Sequence, residues 1–417
     1  MKITNLKAAL IGNNVTVRVV TDKGIDGYAQ VEENKSFVLP LVDYYKPMLL
    51  GADPTDVEAC MRRIRRDGAF KPWGKLVSTI EMALWDIAGK EAGVPVYKLL
   101  GGKVRDRVRV YCTLYGNDKL PYPGAFEPEK RAENILAIHE MGGFSIVKSA
   151  LGFHNPKFCA MAENEGFAYN SYPIAPPPPA SKPDSPAQFH FENANGSLLT
   201  DKGLNYLVSY VAKVKEIVGD EVGIAFDCGP GFMPPDALKF ARGVEPFNVM
   251  WLEDLITGDY TPYQLAQCYR DLTNSTTTNI HTGEQVYLRQ NYKELIETQA
   301  VNVLGPDPAD VGGIAELKWI AEYANLHGIL IAPHGVFNGV FGMAAHVQLA
   351  STLPQNYIAF EFPEAHPAWW YDIVEGVPDG FLKDGHIKVW DKPGIGVEFN
   401  IPKAEKYLRP EERDFFL

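Results

Sequence analysis

The run VGIAFD, residues 222–227, is five apolar or small residues that end abruptly on an acid. A short apolar run of this kind is a strand buried on both faces, and the chain repeats the device. Outward from it lie VRVYC (108–112), FSIVK (144–148), VMWLE (249–253), NIHTGE (279–284), VNVLG (301–305), ILIAP (329–333) and YIAFE (357–361). That makes eight runs. Most steps between them are about 25–30 residues, the length of one strand plus one helix. Regular strand–helix alternation predicts a parallel barrel.

The first hundred residues are patterned differently. NLKAALI and VTVRVVT flank the turn residues Gly12, Asn13 and Asn14, and GYAQV supplies a third strand. STIEMALWDIAGKEAG then sets Ile80, Ala83, Leu84 and Ile87 at helical spacing, with Ser78 read as the N-cap and Gly93 near the stop. An α+β domain precedes the barrel. The longest gap between barrel strands holds NSYPIAPPPPASKPDSPAQFHFENANGS (170–197), too rich in Pro, Ser and Asn for a barrel helix and read as a lid. The resulting division is an N-terminal domain over 1–105, completed by 390–417, and a barrel over 106–389 with a lid-like insertion near 152–200.

Bulk properties narrow the function. Of the 417 residues, 46% are hydrophobic and 22% charged, as in an ordinary globular protein. A net charge of -12 argues against a nucleic-acid surface, which needs clustered Lys and Arg. The five cysteines are scattered without a CxxC pair, so neither a disulfide frame nor a zinc site is expected. No signal-peptide pattern or membrane-length apolar run is present, and a cytoplasmic setting is the expectation.

Four runs end in acids: Asp227, Glu253, Glu284 and Glu361. A single such acid often does no more than cap the next helix. Asp227, Glu253 and Glu284 close three successive runs, whose strands are neighbours in a barrel. Carboxylates crowded at one point repel, and a hard divalent cation with all-oxygen ligation, Mg²⁺, removes the conflict. ILIAP, by contrast, is followed by His334, and a lone histidine beside a strand is more often structural than catalytic.

These acids, followed by GPDPADVGG (305–313) and APHG (332–335), resemble the mandelate racemase group of the enolase superfamily. STIEMALWDIAGKEAGVPVYKLLGGKVRDRVRVY (78–111) is similar to that group's passage from capping domain to barrel, and KPGIGVEFN (392–400) to its return segment. The resemblance implies a modified TIM barrel, (β/α)7β, beneath an α+β cap. It makes Asp227, Glu253 and Glu284 the Mg²⁺ ligands, His334 with Asp307 the proton-abstracting dyad, and Lys148 and Glu361 the groups that hold the substrate carboxylate. It also implies symmetric oligomers.

Two departures matter. The group's second strand-two lysine is replaced by Ala150, and the histidine that some acid-sugar dehydratases carry two residues after the first metal ligand is replaced by Gly229. Two-base racemisation is therefore disfavoured. The expected activity is dehydration of an aldonic or aldaric acid to a 2-keto-3-deoxy acid, with His334 alone serving both proton transfers, or with Lys148, His154 or His190 supplying a second group. Trp73, His154 and His190 are the candidate substrate contacts, joined by Tyr169, Asn170 and Tyr172 in the lid. A sugar-lactone cycloisomerase, an epimerase and a non-catalytic sugar-acid-binding barrel are the rivals.

Overall fold

The computed structural model describes residues 1–67, 71–114, 118–169, 198–256, 265–335, 337–363 and 365–417. They form two compact units, Met1–Tyr111 with Glu284–Lys293 and Leu304–Leu417, and Cys112–Gly283 with Glu294–Val303.

The first unit opens with an antiparallel sheet of β1 (Ile3–Ile11), β2 (Asn14–Thr21) and β3 (Gly27–Gln30). Ile11 pairs with Asn14 across a two-residue turn in which Gly12 has φ +59°, the region a glycine enters without cost. Helices α1 (Leu41–Leu49) and α2 (Val57–Ile64) follow, then α3 (Lys71–Ala92). Along α3, Leu76, Val77, Ile80, Ala83, Leu84 and Ile87 are fully buried, and each large aliphatic among them contributes roughly 1.5–3 kcal/mol. The sheet reaches α3 closely at Gly27, where an added Cβ would lie 2.0 Å from the Ala83 carbonyl oxygen.

α3 begins seven residues before the expected start. Ser78 is not its N-cap: the hydroxyl donates to the Gly74 carbonyl (2.6 Å) one turn back and accepts from the Gly312 amide (2.9 Å). An interior serine can satisfy its hydroxyl on the preceding turn, which makes it a poor boundary marker in sequence.

The eight expected barrel strands are all present. They are β4 (Arg107–Leu114), β5 (Ile146–Ala150), β6 (Gly223–Asp227), β7 (Trp251–Glu253), β8 (Ile280–Thr282), β9 (Val303–Leu304), β10 (Leu330–Ile331) and β11 (Phe360–Pro363). In the second unit the parallel register is continuous: Cys112 opposite Val147, Lys148 opposite Ala225, Asp227 opposite Glu253, and Glu253 opposite His281. The helix Pro128–Gly142 packs on β5 and against the helix Asp201–Val218, which is capped by Thr200, whose hydroxyl accepts from the Gly203 amide (3.1 Å). In the first unit the Ala332 amide donates to Leu304 and the Glu361 amide to Pro333, each at 2.9 Å, which sets the ends of β9, β10 and β11 side by side. The helix Gly339–Ala350 is buried along its whole length, as its nearly uninterrupted apolar sequence demands.

KPGIGVEFN belongs to this first unit. Gly394 approaches Asp86 so closely that a Cβ would meet its carboxylate at 2.2 Å, and the Ile395 amide donates to the same acid (3.0 Å). The five cysteines form no disulfide.

Candidate active site

In the second unit the parallel register brings three expected side chains together. Lys148 on β5 places its ammonium 2.6 Å from Glu253 Oε1 and 3.5 Å from Asp227 Oδ2. Lys148 and Glu253 are buried, so the ammonium neutralises carboxylates that have little water around them. Glu253 is held further by Trp251, whose indole N–H donates to Oε2 (3.0 Å), and by His281, whose Nδ1 lies 3.4 Å from the same oxygen. Neither residue was singled out from the sequence. The signal was available: Trp251 precedes Glu253 by two and shares its face of the strand, while His281 sits opposite it in register.

His154 comes to the Asp227 strand end from a short turn after β5. Its Nδ1 lies 2.9 Å from the Gly229 carbonyl and 3.4 Å from Asp227 Oδ1. A carbonyl only accepts, so Nδ1 carries the proton and Nε2 is the second functional nitrogen. An imidazole thus stands against position 229, supplied from another segment. His190 lies outside the described residues, as do Asn170 and Tyr172, and the Trp73 side chain is likewise outside them, although its backbone belongs to α3.

In the first unit His334 follows β10. Its Nδ1 lies 2.8 Å from Asp307 Oδ2, and its Nε2 lies 3.5 Å from Glu284 Oε2 and 3.4 Å from Glu361 Oε2. Asn338 completes the dyad by donating from Nδ2 to both Asp307 oxygens, each at 3.0 Å. Pairing with Asp307 fixes Nδ1 as the protonated nitrogen and turns Nε2 toward the acids. Burial pushes the His334 pKa down, but Glu284, Glu361 and the Asp307 hydrogen bond outweigh it and hold the imidazole well above its ordinary value. Burial raises the Asp307 carboxyl against the lowering influence of His334 and Asn338. Asn338 was not foreseen, because nothing local distinguishes it from an ordinary helix-leading asparagine.

A cavity of about 220 Å³ in this unit counts His334 and Glu284 among its lining residues. Lys75 of α3 enters its wall and is ion-paired with Asp310 and with Glu32 Oε2 (3.1 Å). Burial raises the Glu32 carboxyl, yet Lys75, Lys35 and His334 together hold it below the usual carboxylate range.

The chemistry of the donors fits a hard cation. Asp227 and Glu253 are oxygen donors facing each other on paired strands and already share one positive charge, and Glu284 follows the next strand, β8, by two residues. Among the described residues no three His, Cys, Asp or Glu groups are disposed to hold a metal ion around one point, and it is the Lys148 ammonium that balances Asp227 and Glu253. No described helix is long and apolar enough to cross a membrane.

Residues 6–101 match the family described as mandelate racemase / muconate lactonizing enzyme, N-terminal domain, and residues 192–404 match the enolase C-terminal domain-like family. A D-xylonate dehydratase of Haloferax volcanii is 30% identical over 98% of this chain and 89% of its own. A D-galactonate dehydratase family member of Halomonas elongata is 29% identical over 95% of this chain and 91% of its own. These relatives are named as dehydratases, that is, hydro-lyases. The structure of a mandelate racemase/muconate lactonizing enzyme-like protein from Rubrobacter xylanophilus is 28% identical, covers 98% of both chains and superposes with a TM-score of 0.77. The 3,6-anhydro-D-galactonate cycloisomerase of Zobellia galactanivorans, at 22% identity, a TM-score of 0.74 and coverage of 98% of this chain and 100% of its own, shares the fold. The fold is the modified TIM barrel with an N-terminal α+β cap, and members of the superfamily generally bind Mg²⁺. The chain belongs to the mandelate racemase / muconate lactonizing enzyme family of the enolase superfamily.

Proposed function

We propose that this chain is a Mg²⁺-dependent acid-sugar dehydratase, acting on an aldonic or aldaric acid to give the 2-keto-3-deoxy acid. The observation that carries the reading is the His334–Asp307 pair at 2.8 Å, which leaves Nε2 as a base directed away from its partner. The dehydratase names of the whole-length relatives favour elimination over other reactions that begin with the same proton. In this reading residues 1–105 with 390–417 form the cap and 106–389 the barrel, and the enzyme assembles as a homo-oligomer.

Asp227, Glu253 and Glu284 would hold the metal. When bound, Mg²⁺ supplies a Lewis acid that offsets charge developing on the substrate carboxylate, the general use of such sites in this superfamily. The protein's own groups do the rest. His334 Nε2 takes the proton from C2, and the C2–H electron pair moves into the carboxylate as an enediolate. Asp307 stabilises the imidazolium that forms, and Asn338 fixes Asp307. Lys148 and Glu361 hold the substrate carboxylate. As the enediolate collapses, the C3–O bond breaks and the hydroxyl leaves as water with one proton. The resulting enol then ketonises by protonation at C3.

That departing hydroxyl needs a donor. His334 can return the proton it took, on the same face, which makes the elimination syn. His154 is the second reading: its imidazole stands beside the Asp227 strand end, with Nδ1 against the Gly229 carbonyl.

The test is a stereochemically complete set of aldonic and aldaric acids incubated with Mg²⁺ and assayed for 2-keto acid by semicarbazide. At least one acid should give product that EDTA abolishes and Mg²⁺ restores. An epimerase would instead exchange the α-proton without semicarbazide-reactive product, and a cycloisomerase would form 2-keto acid only from an anhydro or lactone substrate and not from these open-chain acids. Failure of every acid to show product or α-proton exchange would favour a non-catalytic binding barrel.

A further inference from the structure

The cavity beside His334 carries more information than the reaction uses. Its lining includes His334 and Glu284, which the proposed reaction uses, and Glu32, Lys35, Phe37, Lys75 and Asp310, which it does not. Lys75 is paired with Asp310 and Glu32, and Lys35 lies 3.9 Å from Glu32. Two ammonium groups therefore face two carboxylates, and this wall is neutral. Both cations are already committed to protein acids. Phe37 adds a ring that is 52% exposed, an apolar face for the C–H side of a carbon chain. The volume lies below the roughly 300–1,000 Å³ of drug-sized ligand sites, so the space suits one short chain rather than an oligosaccharide.

We propose that this wall selects monocarboxylic (aldonic) over dicarboxylic (aldaric) acid sugars, with Glu32 as the residue that rejects a second carboxylate. The proposal rests on the acid-sugar dehydratase reading and narrows its substrate class. A terminal hydroxyl both donates and accepts, so it can give a proton to Glu32 and receive one from a lysine without breaking either ion pair. A terminal carboxylate only accepts. To gain a lysine it must displace Glu32 or Asp310, leaving one carboxylate of the three without a cation in a part-buried wall. Specificity of this kind comes from an unfavourable arrangement built against the wrong ligand.

Because the argument is one of charge, two substitutions should act in opposite directions. Each aldonic acid is compared with the aldaric acid of the same configuration by kcat/KM under saturating Mg²⁺. The wild type should prefer the aldonate by about 100-fold or more. Glu32→Gln leaves the wall with a net positive charge and should shrink that ratio at least about tenfold, chiefly through a lower KM for the aldarate. Lys35→Gln leaves it net negative and should widen the ratio. Circular dichroism establishes that each variant is folded, and Lys35, at the accessible side of the wall, keeps the test open should Glu32→Gln fail to fold. A wild type that prefers aldarates, or a ratio that neither substitution moves, overturns the charge argument while leaving the dehydratase reading intact. Absence of α-proton exchange with every acid of both classes overturns that reading, and the selection with it.

Discussion

His334 illustrates how one side chain acquires a role from its neighbours. By itself it is an imidazole at a strand end. Asp307 at 2.8 Å, with Asn338 behind it, fixes the tautomer and turns Nε2 toward Glu284 and Glu361. Asn338→Ala removes the donor that both Asp307 oxygens share. It should lower kcat by about 10- to 100-fold with KM little changed, since a misaligned base loses rate rather than binding. Equal loss in KM alone would assign Asn338 to binding. Lys148 makes a second case. Its ammonium lies against Glu253 and Asp227, so Lys148→Met removes the lysine charge that offsets both acids and leaves a bound metal to replace it. The variant should melt well below the wild type in EDTA, by the order of 3–5 kcal/mol expected of a broken buried pair, and should recover more than the wild type when Mg²⁺ is added. A Mg²⁺ response no larger than that of the wild type would show that these acids are not ligands.

Residue by residue, the sequence was informative where strand ends align in order and uninformative where the partner comes from elsewhere in the chain. The acids at 227, 253 and 284 stood out because each closes an apolar run. The pairing of His154 with the Gly229 carbonyl did not, since a 75-residue separation carries no local pattern. Glu32, Lys75 and Asp310 were hidden for the same reason: two come from the cap segment and one from the loop after β9, and each alone reads as an ordinary surface charge.

Among the elements, the strand series was legible from period and length, whereas the start of α3 was not. Ser78 looks like a cap in sequence, but its hydroxyl is satisfied by Gly74 inside the helix. The contact of α3 with β3 is set by Gly27, which lets the strand backbone approach Ala83. Gly27→Ala should destabilise by about 1–3 kcal/mol, the usual cost of overpacking, measured by urea denaturation with an unchanged m-value. No loss would mean that the strand moves aside freely. On the same helix Glu81 accepts from the Ile314 and Ala315 amides (2.7 and 2.9 Å) at the start of the helix Ile314–Leu326, an acid placed at a helix N-terminus. Even so, burial dominates and raises its pKa to about 7.

At the level of the whole molecule, such raised acids give stability a pH dependence of definite sign. Glu33 is also raised to about 7, by burial. In both cases the folded state binds a proton that the unfolded chain has released above roughly pH 4.5. Stability contributed by these groups is therefore lost as pH rises from about 5 to 7 and is flat above that, at most about 3 kcal/mol for each. Glu33→Gln should remove its share: melting should match the wild type near pH 5 and exceed it near pH 8. A variant less stable than the wild type at pH 8 would refute that sign. The family-level architecture was legible from the ordered spacing of motifs across nearly the whole chain. The insertion at 170–197 is a different matter, because its Pro-rich composition has no period from which to derive a structure.

In the proposed mechanism the His334 imidazole removes the proton beside the carboxylate while the acids of the neighbouring strands would hold the metal. Proton NMR in D₂O with Mg²⁺ and an acid sugar that the wild type turns over, comparing the wild type with His334→Asn, measures that step. The wild type should yield 2-keto-3-deoxy acid deuterated at C3, and His334→Asn should lose both that product and any C2 exchange by at least about a hundredfold. A folded His334→Asn variant that still forms the deuterated product at near wild-type rate would contradict the account.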